Sequence, residues 1–283
     1  MKKKFEKTKI LKYYILCFIM TICDSSILSA QSFVPYNEIG LVGGTSYYLG
    51  DLNKTHFNSM QIGGGLVFRR NIDRRFAYKA ETIFCSLQAD DRENTSDPIA
   101  TDRGLHFKSR LYEFSAQLEF NFLPYEIGNP LYTWTPFLFT GGSVFHFNPM
   151  AESSTGTWVY LQELGTEGQE TPAFPERKKY SLVQFAIPMG GGLKFSIGKS
   201  ANIILAYGIR KLFTDYLDDV STTYPGSAVM QPYGQLAQEM SDPTGTHIRD
   251  QQRGDSQDND WYSFVGVTIS IKFKNNIVDC LYD

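Results

Sequence analysis

The chain has four histidines, His56, His106, His146 and His247. An imidazole beside a serine and a carboxylate makes a nucleophile for acyl transfer, because the imidazole takes the hydroxyl proton and the carboxylate fixes its tautomer. No serine is set apart by its neighbours, so solvated histidines are the plainer reading and no catalytic residue is assigned. Two acidic runs, Asp215, Asp218 and Asp219, then Asp255, Asp258 and Asp260, supply the oxygens calcium needs. They lack the spacing and glycine of a calcium loop and read as solvated loop acids, so no metal is expected. The glycine clusters at 43–44, 63–65, 141–142 and 190–192 do not join a strand to a helix with the residues a phosphate cradle requires. They suit close backbone approach in strands, and no cofactor or small-molecule substrate is expected. Arg253-Gly254-Asp255 is too short to argue for adhesion by itself.

The elements that carry these residues are strands. From Tyr112 to Phe122 every second residue (Tyr112, Phe114, Ala116, Leu118, Phe120, Phe122) is apolar, and Glu113, Ser115, Gln117, Glu119 and Asn121 alternate with them. A run of about eleven such residues crosses a bilayer at a tilt of roughly 45°. Eight segments carry the signature: 36–49, 60–70, 75–89, 106–122, 133–147, 180–197, 201–217 and 260–273. Their connections alternate between short (71–74, 123–132, 198–200) and long (51–59, 90–105, 148–179, 218–259). That alternation is the habit of outer-membrane barrels, whose short turns face the periplasm and whose long loops face outward. The histidines then map to the outer rim or outer loops. The expected fold is all-β, an eight-stranded antiparallel up-and-down transmembrane barrel with long extracellular loops and both termini periplasmic. The segment 133–147 is aromatic on both faces and its orientation stays open.

A soluble β-sandwich also alternates, with its apolar face inward. Strand length, an export leader and aromatics near the expected interfaces (Tyr47, Tyr48, Phe122, Tyr180, Trp261, Tyr262) favour the barrel. Eight strands leave an interior just wide enough for side chains to fill. Inside it Glu81, Glu113 and Glu119 are expected to pair with Lys79, Lys194, Arg210 and Lys272, since an unpaired buried charge is costly. A filled interior argues against an open pore.

Residues 1–30 read as a cleaved leader: a lysine-rich start, an apolar stretch from Tyr13 to Ile22 and Ser29-Ala30 before the cut. The barrel is expected over 31–274 and a periplasmic tail over 275–283. The leader holds six lysines against Glu6 and Asp24, so removing its +4 takes the formal charge from −3 to −7. That balance offers no footprint for nucleic acid. Cys85 and Cys280 are the cysteines outside the leader. They are expected on opposite sides of the membrane, too far apart for a mutual disulfide. Cys280, unpaired in an oxidising compartment, is a candidate for an intermolecular bond or a reactive thiol, with an inert tail thiol as the plain alternative.

Several segments together resemble the PorG-like outer-membrane barrels of the type IX secretion system, which also drives gliding motility. They are 38–53 (Glu38-Ile39-Gly40-Leu41 through Asp51-Leu52-Asn53), Phe147-Asn148-Pro149, 210–221 (Arg210-Lys211-Leu212 through Asp219-Val220-Ser221), Arg253-Gly254-Asp255 and Asn259-Asp260-Trp261-Tyr262. The resemblance implies a non-enzymatic barrel that anchors a periplasmic ring, built from a lipoprotein and its partner subunit, to the outer membrane. The short turns and the tail would then be the docking surface and Cys280 the tether. The rival readings are a lipid-modifying barrel enzyme using rim residues such as His106 or His146, and a small porin or adhesin.

Overall fold

The computed structural model describes residues 33–93 and 98–273. The leader, the tail and Cys280 lie outside the described residues. Eight long strands form the wall: β1 (Tyr36–Leu49), β2 (Gln61–Asn71), β3 (Phe76–Asp90), β4 (His106–Asn121), β5 (Trp134–His146), β8 (Val183–Ile197), β9 (Ala201–Leu212) and β10 (Trp261–Phe273). Each pairs antiparallel with its neighbours in the chain, and β1 pairs with β10 from Asn37↔Phe273 to Leu49↔Trp261, which closes the barrel. Closure leaves no wall strand with an unpaired edge, the condition for placing a sheet in hydrocarbon.

Lipid, rather than a core, explains the exterior. Ile62, Leu41, Phe84, Phe114, Leu138, Phe185 and Ile269 all point outward and are each more than half exposed, with Ile62 at 86%. An apolar belt of this extent running round a molecule is not a surface that water tolerates. The alternating partners, among them Glu38, Glu113, Glu119, Lys194 and Arg210, are buried inside. Polar within and apolar without is the pattern of a membrane barrel, the reverse of a β-sandwich.

Glycine allows the wall to close tightly: a Cβ added to Gly65 would lie 1.7 Å from the Thr82 carbonyl oxygen, and one on Gly192 would lie 1.9 Å from that of Leu205. The fifth segment, open in the sequence, is oriented by its interior neighbours. Phe137, Phe139 and Phe145 point inward. Lys194 sits 4.6 Å from the Phe137 ring and Lys79 4.7 Å from that of Phe139, so two interior cations rest on aromatic faces.

The long connections do not behave as open loops. Two short strands, β6 (Pro149–Glu152) and β7 (Trp158–Tyr160), extend the sheet beyond the end of β4, where Met150 pairs with Lys108. Short helices α1 (Pro98–Arg103), α2 (Leu161–Leu164), α3 (Ser227–Met230) and α4 (Gln235–Ser241) lie in the same region. Leu52, Leu105, Leu161, Leu217, Val220 and Met240 are buried together there, so the long connections fold into a cap whose apolar core is continuous with the barrel's interior residues such as Leu87, Leu111 and Phe145. The segment expected to remain strand to 217 leaves the wall at Leu212 and turns into this cap.

Four tyrosines expected at the interfaces, Tyr47, Tyr48, Tyr180 and Tyr262, are buried instead, Tyr47 beneath His56 and Phe57. Tyr48 and Tyr262 fall on the inward parity of their strands, and Tyr180 stacks between Phe147 and Tyr216 in the cap. Outward-facing aromatics near the strand ends are Tyr78, Tyr112 and Trp134, with Phe122 just beyond β4.

Candidate functional site

The strand alternation places four carboxylates and four cations inside the wall, joined end to end. Glu119 of β4 is at the centre: its Oε2 accepts from Arg69 Nε at 2.8 Å and from Lys194 Nζ at 2.6 Å, and Lys79 lies at 3.9 Å. Arg69 reaches Glu38 at 2.8 Å, and Glu38 also accepts from Asn71, Asn202 and Ser270. On the other side Lys79 meets Glu81 at 3.2 Å, Glu81 faces Arg210 at 3.9 Å, and Arg210 donates to Glu113 at 3.1 Å. Tyr262 closes the chain by donating to Glu113 at 2.5 Å. Charges buried this fully persist only when paired and hydrogen-bonded. The network fills the bore with side chains, which are mutually tethered across seven of the eight strands.

Of the interior residues expected from the sequence, Glu113, Glu119, Lys194 and Arg210 lie in this network. Lys272 does not, which corrects its expected pairing with a carboxylate. It sits at the strand ends near the termini of the barrel, donating to the Ile127 carbonyl at 3.3 Å and standing 4.1 Å from the Tyr36 ring. Glu38 and Arg69 carry ion pairs the sequence reading did not assign. Their signal was available, since both occupy the parity opposite to the lipid-facing Ile39 and Phe68.

Lys272 is instead part of a closure at this end. The connection from β4 to β5 folds beneath the barrel, burying Tyr125 and Ile127, and the Ile127 N–H donates to the Tyr36 hydroxyl at 3.2 Å. Gly128 N–H donates to Ser196 Oγ at 3.0 Å, and Arg74 pairs with Glu126 at 3.0 Å. Asp73 holds the tight β2–β3 turn by accepting from the backbone N–H groups of Arg75 and Phe76. The result is a firm platform of short turns.

At the opposite end the cap overturns the reading of its acids as solvated for four of the six, while Asp255 and Asp258 are exposed as expected. Asp215, Asp218, Asp219 and Asp260 are all buried. The Tyr48 phenol lies 2.5 Å from Asp218 Oδ2 and 2.7 Å from Asp260 Oδ1. A phenol has one hydrogen to donate, so one of the two carboxyls must bring a proton of its own to the cluster. Burial drives both carboxyls well above the ordinary range, with Asp51 adding to the rise at Asp218 and Asp218 to that at Asp260. Asp219 accepts from Thr166 and from Tyr180 at 2.6 Å, and lies 3.8 Å from Arg253. Arg253 is itself buried, donating to Glu167 at 3.2 Å and to the Asp219 carbonyl at 2.6 Å, so the Arg-Gly-Asp tripeptide is not presented for adhesion. Local composition could not reveal this, because burial here depends on segments more than thirty residues apart.

Asp215 has two buried carboxylate oxygens without hydrogen-bond partners. Burial and the nearby acids Asp51, Glu167 and Asp255 push it up to about 8. In an unfolded loop an aspartate releases its proton near 4. The folded cap therefore holds the extra proton between those values, and its stability falls as pH rises from about 4 to about 8. Amide exchange over residues 213–222, corrected for its intrinsic pH dependence, should be slower at mildly acidic than at mildly alkaline pH. Equal or faster exchange on the acidic side would show that the carboxyl is not held protonated.

The histidines occupy separate places. His56 Nδ1 meets the Tyr47 hydroxyl at 3.1 Å, His106 Nε2 accepts the Glu152 N–H at 3.0 Å, and His146 lies beside the Tyr112 ring. His247 pairs with Asp242 at 2.9 Å and stacks on Tyr224. Among the described residues no serine hydroxyl bonds to any of them and no three acids, cysteines or histidines converge on a metal position. Cys85 is buried in the interior, which gives its thiol the surroundings of a small apolar side chain. An open cleft of about 700 Å³ between the cap segments carries both signs of charge (Arg92, Glu152, Glu239, Asp242, Arg253) and singles out no ligand class.

A closed eight-stranded wall with an apolar exterior, a paired ionic interior and a folded cap defines a transmembrane β-barrel of the outer-membrane type. The chain belongs to the family described as Domain of unknown function (DUF6089), which it matches over residues 13–237. No curated protein matches the sequence. Solved structures similar to it include Neisserial surface protein A, at 9% identity and a TM-score of 0.40, with 84% of this chain and 97% of that chain covered. The attachment invasion locus protein Ail of Yersinia pestis, solved with the heparin analogue sucrose octasulfate, is 10% identical at a TM-score of 0.40, covering 84% and 97%. OprG of Pseudomonas aeruginosa is 10% identical at a TM-score of 0.36, covering 85% and 96%. The membrane assignment rests on this chain's own surface, not on those likenesses.

Proposed function

We propose that the protein is a non-enzymatic structural mount of the outer membrane that anchors a periplasmic ring of a type IX-like protein secretion machine. The end bearing the short turns and the termini faces the periplasm, and the cap faces outward. The ring contains a lipoprotein and its partner subunit, and it docks on the short turns together with the tail beyond the last strand. One observation supports this reading above the porin alternative: the bore is filled by a continuous ionic network and closed beneath by Tyr36, Tyr125 and Ile127. Such a body suits bearing load better than passing solutes. Cross-strand ion pairs tie the wall together, so force applied at the short turns is shared among several strands.

Cys280, outside the described residues, is the candidate covalent tether to the ring. Gentle-detergent isolation of the tagged protein, with partners identified by mass, should recover an exported lipoprotein and a second periplasmic subunit. Under non-reducing conditions Cys280→Ser should lower that recovery severalfold. Recovery of the barrel alone would remove the anchoring role. Ring subunits recovered equally with the serine variant would remove only the disulfide.

A further inference from the structure

The exterior is not uniformly smooth. On the half of the wall nearest the cap, the β5–β8 ladder is interrupted: Thr140 pairs with Met189 and Ser143 with Ala186, but Gly141 and Gly142 between them, though paired with β4, have no partners on β8. Pro188 lies opposite this gap and has no N–H to donate. Gly142 faces outward, and a side chain added there would meet nothing within 4 Å. The outcome is a groove of about 450 Å³ lined by Phe114, Ala116, Val144, Phe185, Ile187 and Phe213, with almost no polar atoms.

Above this groove, toward the cap, β4 continues outward through Tyr112, Arg110 and Lys108 on the same parity as Phe114. Arg110 stands about 13 Å and Lys108 about 20 Å along the strand from Phe114, which sets them beside the groove's upper end at the height where hydrocarbon gives way to headgroups. Their cross-strand neighbours on β3 are neutral, Ser86 for Arg110 and Gln88 for Lys108. The nearest acids in the ladder, Asp90 on β3 and Glu152 on β6, both lie beside His106 rather than opposite either cation, and Asp90 is already paired with Arg92 at 2.6 Å. Among the described residues neither Arg110 nor Lys108 has a carboxylate partner, and Lys108 lies 6.0 Å from the Trp158 ring. Two cations without a carboxylate partner leave positive charge that an anionic occupant of the groove can neutralise.

We propose that this face is a binding site for one phosphate-bearing membrane lipid, its phosphate held by Lys108 and Arg110 and one acyl chain seated in the groove at Gly142. Lysine and arginine at a headgroup surface each attract anionic lipid measurably, and a fixed pair two residues apart adds geometry to the attraction. The chain in the groove recovers the packing that the missing side chain at Gly142 gives up. The site requires only that the barrel sit in a bilayer, so it stands or falls separately from the ring-anchoring role.

Native mass spectrometry of the full mature protein in mild detergent reads the site directly. Dioleoyl phosphatidic acid is the probe and dioleoylglycerol, identical but for the phosphate, is its control. One phosphatidic acid should be retained per barrel, and dioleoylglycerol should be retained weakly. Lys108→Ser with Arg110→Ser should reduce phosphatidic acid retention about tenfold and leave the control unchanged. Gly142→Phe, or the smaller Gly142→Leu, should reduce it with both cations intact. Heat-modifiable gel mobility verifies that each variant is folded, as expected for outward positions without ion pairs. Retention unchanged by the double serine variant, or unchanged by both groove-filling variants, overturns the proposal. Full displacement by excess inorganic phosphate would also overturn it, by showing a headgroup site with no seat for the chain.

Discussion

Replacing Glu119 by alanine should lower the free energy of unfolding by about 3–5 kcal/mol, because it leaves Lys194 buried without a counter-charge and strips Arg69 of one of its two carboxylates. Arg69 and Lys194 both bond to Glu119 and Lys79 stands 3.9 Å away, so one deletion touches three cations from three strands. The remaining carboxylates cannot take over: Glu38 is committed to Arg69, Asn71, Asn202 and Ser270, and Glu113 to Arg210 and Tyr262. Urea titration of protein refolded into vesicles, followed by the heat-modifiable band, measures the loss. Removing Lys194 together with Glu119 rebalances the interior, so Glu119→Ala with Lys194→Met should lose less than Glu119→Ala alone. If the single variant is as stable as the parent, the interior network does not bear on barrel stability and the load-sharing argument loses its basis.

The second large effect is confined to the cap. Arg253 is the cation that faces both Glu167 and Asp219, and it also donates to the carbonyls of Asp219 and Ser241. Arg253→Ala leaves two buried carboxylates facing each other, at a cost of about 3–5 kcal/mol. Those residues lie outside the wall strands, so the cost should appear as local opening rather than global unfolding. Limited proteolysis should cut within residues 148–182 and 213–260 of the variant far faster than in the parent, while the band marking the folded wall persists. Loss of the wall along with the cap would show that the two are a single cooperative unit.

Much of the wall was legible because a bilayer imposes a strict rule: one face apolar, the other polar, at a period of two. Tyr112 to Phe122 states that rule in full, and the ends of β1, β2, β3 and β10 fall within a residue or two of the sequence reading. The rule fails where an interior cation accepts an aromatic partner. Phe137 and Phe139 lie in a segment aromatic on both faces, which the alternation leaves unoriented, and they form the seats of Lys194 and Lys79. Tyr48 and Tyr262 mislead similarly, since a tyrosine near a strand end suits a headgroup, while these two donate to buried carboxylates.

The cap was the least legible part for a physical reason. Its acids are buried by segments far apart in the chain, and nothing local distinguishes an aspartate in water from one bonded to a distant tyrosine or arginine. Glu167 illustrates this: it accepts from Ser221, Thr222, Tyr216 and Arg253, all at least forty-nine residues away. Lys272 shows the converse limit, since its inward parity was readable but its partner, a backbone carbonyl of the β4–β5 connection, was not.

The membrane position of the barrel depends above all on which face of the wall meets hydrocarbon. Single nitroxide labels at Leu118 and Ile269, with a third at Gln117, test this in protein refolded into phospholipid vesicles. The labels at Leu118 and Ile269 should be relaxed strongly by oxygen, which concentrates in acyl chains, and little by a water-soluble nickel chelate, while the label at Gln117 should be shielded from both. Labels at Leu118 and Ile269 that respond to the aqueous chelate as readily as to oxygen would contradict the account.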